Sequence, residues 1–393
     1  MTRIFHFLFV LFVLISKASD IYGQDSLSVV DSTEDKKRFE LQGYVKNMEY
    51  ISFNDGFRNS LSNNLIHNRI NIKWKPVRNF TGAIELRTRL FWGEEVKSNQ
   101  AFEELLENPT EAIGLSKLWF GSRSAVFHTN IERLWAEYHT DKLSFRLGRQ
   151  RINWGVNTLW NPNDLFNTYN FLDFDYEERP GSDAVKGQYN FSDNTNLELA
   201  VSVSRQREQI AALKLFTNKW GYDFQFMAAW YLQQWATGSG FAGSIGDAGF
   251  KGELMYFFES AKATDQFNAS LEFDYMFENE WYLNLAGLYN MQGLNQQLSN
   301  FESLDFRLSP KNLLPLKWTL AITTSKPVTE LLQAGLTGTY SPGADLIILY
   351  PSLRYNLATN LDVDMVWQSM MAGMQGELHD LNHTAFLRFK WSF

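Results

Sequence analysis

Cysteine is absent from the 393 residues. That absence excludes a disulfide scaffold, thiolate metal sites, thiol catalysis and lipid attachment through an N-terminal cysteine. Charge is sparse too, at 20% of residues, and 36 basic against 44 acidic side chains leave a net charge of -8. Such a balance argues against nucleic acid as a partner. Long apolar runs are also missing. The longest, Ile4 to Ile15, has twelve residues interrupted only by His6, too few to cross a bilayer as a helix. Aromatic side chains, in contrast, are plentiful: 32 Phe, 16 Tyr and 13 Trp make 61, under a mean hydropathy of -0.30. Compact soluble domains do not use so many.

The short apolar run follows Met1-Thr2-Arg3 and has the length of a signal-peptide core. Residues 1–23 are therefore expected to be a signal peptide, processed after Gly23 or after Ala18, with a retained anchor as the alternative. Residues 24–38 are polar and charge-rich and read as a flexible periplasmic lead-in. From residue 39 to 393 the pattern changes to runs of alternating apolar and polar residues separated by Gly, Asn, Asp and Pro.

The alternation is clear in Asn196 to Ser204, where Leu197, Leu199, Val201 and Val203 share one face and Glu198, Ala200, Ser202 and Ser204 the other. In Ala83 to Leu90, Ile84, Leu86 and Leu90 oppose Glu85, Arg87 and Arg89. Leu361, Val363, Met365 and Trp367 oppose Asp362 and Asp364. A soluble sandwich would have to bury those charges in its core, whereas a barrel in lipid turns them toward a watery lumen. The fold class read from this is all-β: a transmembrane antiparallel β-barrel of about 18 strands, with 16 as the alternative, in the cell outer membrane. If the first strand runs outward, every periplasmic turn is tight, and the three longest connections, 94–128, 154–180 and 293–312, share the external side.

The last segment adds a second signal. Ala385, Leu387, Phe389, Trp391 and Phe393 lie on one face, with Phe393 as the last residue. This resembles the terminal strand by which the barrel assembly machinery recognises outer-membrane barrels. A last strand must also pair with the first, because lipid cannot satisfy an open edge.

No catalytic constellation is expected. Four of the six histidines are widely scattered, and there is no nucleophile elbow and no phosphate-binding glycine loop. The reading therefore assigns no catalytic residue, no metal and no cofactor. The informative cluster is basic: Arg87 and Arg89 in one strand, Arg133 in the next, and Arg146, Arg149 and Arg151 in the one after. Facing inward they would form a ladder that guides anionic groups. Glu85, Glu132 and Glu137 are near enough to neutralise part of it, which makes a wall-stiffening ion-pair network the competing reading. Arg149 and Arg151 have opposite parity to Arg146, so a bulge near Gly148 is needed if all three face inward.

The most individual stretch runs Gly148-Arg149-Gln150-Arg151-Ile152-Asn153-Trp154-Gly155, then Asn161-Pro162-Asn163-Asp164-Leu165-Phe166-Asn167, then Glu178-Arg179-Pro180-Gly181. With the segments Phe241 to Tyr256 and Phe273 to Asn290, it resembles a porin-like superfamily of outer-membrane proteins over most of residues 39–393. The resemblance implies a pore or transport role and transfers no catalytic residue. Asn161-Pro162-Asn163-Asp164 is a turn and helix-start signal. It is expected either to fold Trp154 and Phe166 into the lumen as a constriction or to leave Trp160, Phe166, Tyr169 and Phe171 packed on the rim. Ala101 to Glu107 reads as a short acidic helix with Phe102, Leu105 and Leu106 on its apolar side.

The functional reading is a porin-like channel for diffusion or uptake of a small polar solute, an anionic one if the basic ladder sets selectivity. The alternatives are a closed structural, assembly or surface-receptor barrel, and a lipid-modifying enzyme. Implied partners are outer-membrane lipid, the barrel assembly machinery during insertion and the small-molecule solute; the oligomeric state is open, a trimer being compatible.

Overall fold

The computed structural model describes residues 38–54, 57, 59–99, 101–106, 111–168, 174, 180–298, 304, 306–374 and 376–393. The expected signal peptide and nearly all of the lead-in lie outside them. The described residues form one antiparallel sheet of nineteen strands whose last strand pairs with its first. In chain order they are β1 (Phe39–Asn54), β2 (Asn59–Val77), β3 (Phe80–Gly93), β4 (Ser116–Gly121), β5 (Ala125–His139), β6 (Leu143–Gln150), β7 (Ser182–Ser192), β8 (Thr195–Val203), β9 (Gln209–Lys219) and β10 (Tyr222–Tyr231). There follow β11 (Gln234–Ile245), β12 (Ala248–Phe257), β13 (Gln266–Met276), β14 (Tyr282–Asn290), β15 (Trp318–Pro327), β16 (Leu332–Ser341), β17 (Leu346–Ala358), β18 (Leu361–Met374) and β19 (Glu377–Ser392).

Eighteen of these close the ring, as the sequence leads one to expect. β3 pairs directly with β5, from Phe80↔Tyr138 to Trp92↔Ala125, so β4 is not a link between them. It pairs instead with the opposite edge of β5, from Ser116↔Asn130 to Gly121↔Val126. Lower down, that same edge of β5 is occupied by β6, from Leu134↔Arg149 to His139↔Ser144. β6 thus leaves the wall after Gln150, and β4 takes its place toward the external rim. The sequence pattern did not reveal β4, because all six of its residues are exposed and show no alternation.

Alternation sets the orientation of the wall. Leu199 is 52% exposed on the outside, while its neighbours Glu198 and Ala200 are 8% and 0% exposed on the inside. Outer aromatics gather at both ends: Trp220, Phe277 and Trp281 beside the short turns, and Trp235, Phe258 and Trp318 at the long-loop end. Rings at that depth sit with an apolar body in lipid and an edge toward water. The eight turns at the first end span at most five residues each, and the three long connections all lie at the other. Trp220 and Gly221 both have positive φ, which matches the two-residue hairpin turn that suits strand twist. Among the described residues no helix is long and apolar enough to cross a membrane. A closed barrel with an apolar belt between aromatic girdles crosses it with strands, the architecture of an outer-membrane protein.

Closure joins Gly43 to Phe393: each donates its backbone N–H to the other's carbonyl, at 3.0 and 2.9 Å. A side chain at Gly43 would collide with the Phe393 ring. Leu387, Phe389 and Trp391 lie opposite Glu49, Asn47 and Val45 of β1. In the first long connection, the expected helix over Ala101 to Glu107 is replaced by a short helix, α1 (Glu94–Ser98), and a 3-10 turn at Glu104–Leu106. Phe102 is buried with Val96 and Val126, whereas Leu105 is exposed.

Candidate functional site

After Gln150 the chain turns into the barrel, and residues 151–168 pack against the inner wall. Ile152, Trp154, Leu165 and Phe166 cluster on Ala184, Ala200, Ala212, Ala229 and Ala236. Inward alanines on five neighbouring strands make the room, and burial of those four large side chains supplies the driving force. Trp160 and Phe166 lie inside the barrel, not on the rim; Tyr169 and Phe171 fall outside the described residues. The Asn161-Pro162-Asn163-Asp164 sequence forms a turn without a helix: Asp164 donates its N–H to the Asn161 carbonyl at 3.2 Å.

Backbone amides of this inward loop find carboxylates in place of a helix or sheet partner. Glu253 on β12 accepts from the N–H groups of Val156, Asn157 and Asn163 at 2.5, 2.9 and 3.0 Å. Glu272 on β13 accepts from those of Thr158 and Leu159, both at 2.8 Å. Asp164 folds back to accept from Trp154 and Gly155, again at 2.8 Å. Each carboxylate accepts several N–H bonds at once, and the amides escape an unpaired burial.

A second loop, residues 306–317, enters from the external side and is held with reversed polarity. Gln266 and Asn268 donate their side-chain amides to the carbonyls of Lys311 and Pro310 at 2.8 and 2.7 Å, and Asn290 donates to Leu314 at 2.7 Å. Lys311 itself donates to the Gln234 side-chain oxygen at 2.7 Å, and burial lowers its pKa. The two loops meet at Trp160, which packs with Leu313 and Leu314 over Ala286, Leu288 and Ala321.

The basic ladder lies on the remaining inner wall. Arg87 pairs with Glu132 at 3.3 Å and donates to His67 Nε2 at 3.3 Å. Glu85 bridges Arg69 and Arg133. Arg146 pairs with Glu137 at 2.5 Å and stacks on Trp135, and Arg89 lies 3.5 Å from His128 Nδ1. A bulge in β5 leaves Glu132 without a partner in the β3 register and turns Glu132 and Arg133 inward together.

Arg149 is placed elsewhere. Its side chain is 1% exposed, held by Asp183 at 2.8 Å and Glu111 at 3.0 Å and donating to the carbonyls of Ile131 and Ile113 at 3.0 and 2.5 Å. Those partners come from β5, β7 and the segment leading into β4, so Arg149 stitches the join where β4 replaces β6. Gly148 has the expected irregularity but no bulge: φ is +116°, the register continues on both sides, and a side chain there would collide with the Leu134 carbonyl. Burial raises the pKa of Glu111 despite its arginine neighbour. Arg151 is exposed just past the end of β6.

Sequence reasoning missed the opposite flank. Arg388 on β19 donates twice to Asp364 at 2.8 and 3.0 Å and is covered by the Phe174 ring at 4.3 Å. Arg354 on β17 also binds Asp364 at 2.7 Å, yet its side chain stays 56% exposed. Arg354, Asp364 and Phe174 line a cavity of about 420 Å³ that Thr158 and Leu159 of the inward loop bound on the other side. Asp364 showed in the alternation, but nothing local to Arg354 or Arg388 signals that both meet it, ten and twenty-four residues away in the chain.

No protein-family profile matches the chain, and no curated protein matches it in sequence. Solved structures do match. Acinetobacter baumannii OccAB4 superimposes with a TM-score of 0.58 at 8% identity, covering 91% of this chain and 99% of that one. OccAB3 of the same organism gives 0.56 at 12%, covering 90% and 99%. Pseudomonas aeruginosa OpdK, solved with vanillate, gives 0.56 at 10%, covering 90% and 98%. At such identities the likeness is one of fold, and it extends over nearly the whole of each barrel.

Proposed function

We propose that the protein is an outer-membrane channel that admits small polar solutes and favours anionic ones. The carrying observation is the division of the inner wall. The strands from β7 to β14 are occupied by the two inward loops, while the passage-facing strands from β17 round to β6 carry Lys46, Arg69, Arg87, Arg89, Arg133, Arg146, Arg354 and Arg388 against Glu85, Glu132, Glu137, Asp362 and Asp364. Among the described residues of these strands cations outnumber carboxylates, a balance that supports a passage favourable to anions. The fold shared with OpdK, which was solved with vanillate, agrees with a channel for small organic anions. On this reading no covalent step occurs: the loops select by size and the wall by charge.

Arg354 and Arg146 keep 56% and 24% of their side chains exposed, and they carry the test. In planar bilayers under a KCl gradient, Arg354→Ser with Arg146→Ser should lower the anion-to-cation permeability ratio about fivefold, equivalent to ~1 kcal/mol of screened Coulomb energy. An unchanged reversal potential would sink the electrostatic part of the reading. A folded barrel without ion-permeable steps would favour a closed structural or receptor role instead.

A further inference from the structure

Between the gripped loops and the basic ladder lies a third sector that the charge argument leaves unused. The inward positions of β15 are Thr319, Ala321, Thr323 and Ser325, and those of β16 are Gln333, Gly335, Thr337, Thr339 and Ser341. None is charged. Two cross-strand pairs join hydroxyl to hydroxyl, Thr319 to Ser341 at 2.8 Å and Thr323 to Thr337 at 3.1 Å. The track opens into the 420 Å³ cavity through Ser325, Gln333, Thr337, Tyr350 and Ser352, facing Thr158 of the inward loop.

We infer that the solute is a polyhydroxylated carboxylic acid of the sugar-acid class, with its carboxylate toward Arg354 and its hydroxyls on the β15–β17 track. This rests on the anion-channel reading above and names its substrate class. A hydroxyl both donates and accepts, so Ser325, Thr337 and Ser352, which line the cavity, keep a role to offer a solute hydroxyl of either orientation, while Thr319, Thr339 and Ser341 are buried in the wall. Ser352 and Arg354 alternate onto the same inner face of β17, two residues or about 7 Å apart. That spacing fits a six-carbon acid with a charged head and hydroxylated tail. Tyr350 receives the side-chain amide of Gln368 at 2.6 Å, which holds its phenol oxygen at the track. Phe174 and Leu159 supply apolar surface at the cavity edge against which C–H faces can lie.

The external mouth repeats this chemistry. A separate cavity of about 570 Å³ is lined by Gln292, Asn295, Gln296 and Asn312 beside Lys311. Carboxamides offer the same paired donor and acceptor as a hydroxyl. A hydrocarbon acid of equal size would strip water from these groups without replacing it, a loss in every contact.

The test compares gluconate with hexanoate, which have equal carbon number, in the reconstituted full-length protein. Bi-ionic reversal potentials should show gluconate permeating several-fold better than its size and hydration predict from a wide neutral pore, and better than hexanoate. Thr337→Val with Ser352→Ala should erase the preference, and KCl-conducting steps from the variant show that it has folded. If normal anion-selective KCl conductance comes with hexanoate at least as permeant as gluconate, the sugar-acid inference is overturned alone. The same holds if the double variant keeps the preference. Should that variant fail to conduct KCl, the wild-type ratio decides by itself. Absence of anion-selective conductance in the wild type overturns the channel reading, and this inference with it.

Discussion

Two inward loops fill one side of the lumen, and the wall grips them by opposite means. Loop 151–168 offers its N–H groups to Glu253 and Glu272. Loop 306–317 offers its carbonyls to Gln266, Asn268 and Asn290. In each case backbone groups that lie outside regular structure are paired by side chains from a rigid sheet. The difference lies in strength. Bonds to a charged acceptor contribute about 1.5–3 kcal/mol each, and neutral ones about 0.5–1.5. The first loop should be the fixed boundary of the passage and the second the more yielding one.

Removing the contact they share should have the largest effect. Trp160→Ala leaves a cavity among Leu313, Leu314 and Ala286 and is expected to cost about 3–5 kcal/mol. Protease sensitivity should appear in both loops, and the chemical-denaturation midpoint should fall. Next comes Glu253→Ala, which strands three amides at a cost of about 3 kcal/mol or more; single-channel current should become larger and noisier, and cleavage should be confined to residues 151–168. Asn268→Ala removes one neutral donor, for about 1 kcal/mol, and should loosen only residues 306–317. If it disturbs its loop as much as Glu253→Ala disturbs the other, charge is not what separates the two grips.

The smallest effect concerns Glu111, outside both loops. Its pKa is raised in the folded protein, so its contribution is fully present below the unfolded value of about 4.3. That contribution is lost as pH rises through the folded value. Glu111→Gln removes this dependence. The midpoint difference between Glu111→Gln and wild type should therefore shift in favour of the variant between about pH 4 and pH 7; a difference that is flat with pH would contradict the assignment.

The barrel itself was legible because its signal is repeated many times. Period-two alternation such as Leu197 to Ser204 recurs around the ring, and tight turns fall at every second connection. The inward course of Trp154 to Phe166 was visible as one of two options through its turn residues. Its partners were not. Glu272 alternates with Leu271 and Phe273 along β13, but nothing local distinguishes a carboxylate that binds loop amides from one that binds an arginine. The inward alanines, Ala200, Ala212, Ala229 and Ala236, hold the usable clue, since small residues at successive inner positions leave space for something to be packed there. Arg149 misled for a related reason: its motif is local, but its partners Glu111 and Asp183 come from segments dozens of residues away on either side.

The replacement of β6 by β4 in the wall has a consequence for how such a protein can change over generations. Because Arg149 and β4 mend the wall where the chain departs, barrel closure does not depend on what happens between residue 151 and residue 180. On the channel reading, the part of that stretch that does not pack on the wall can change under selection for new cargo while the eighteen-strand frame is inherited intact. On that reading, a new solute size can be reached by edits to an insert, with no redesign of the container.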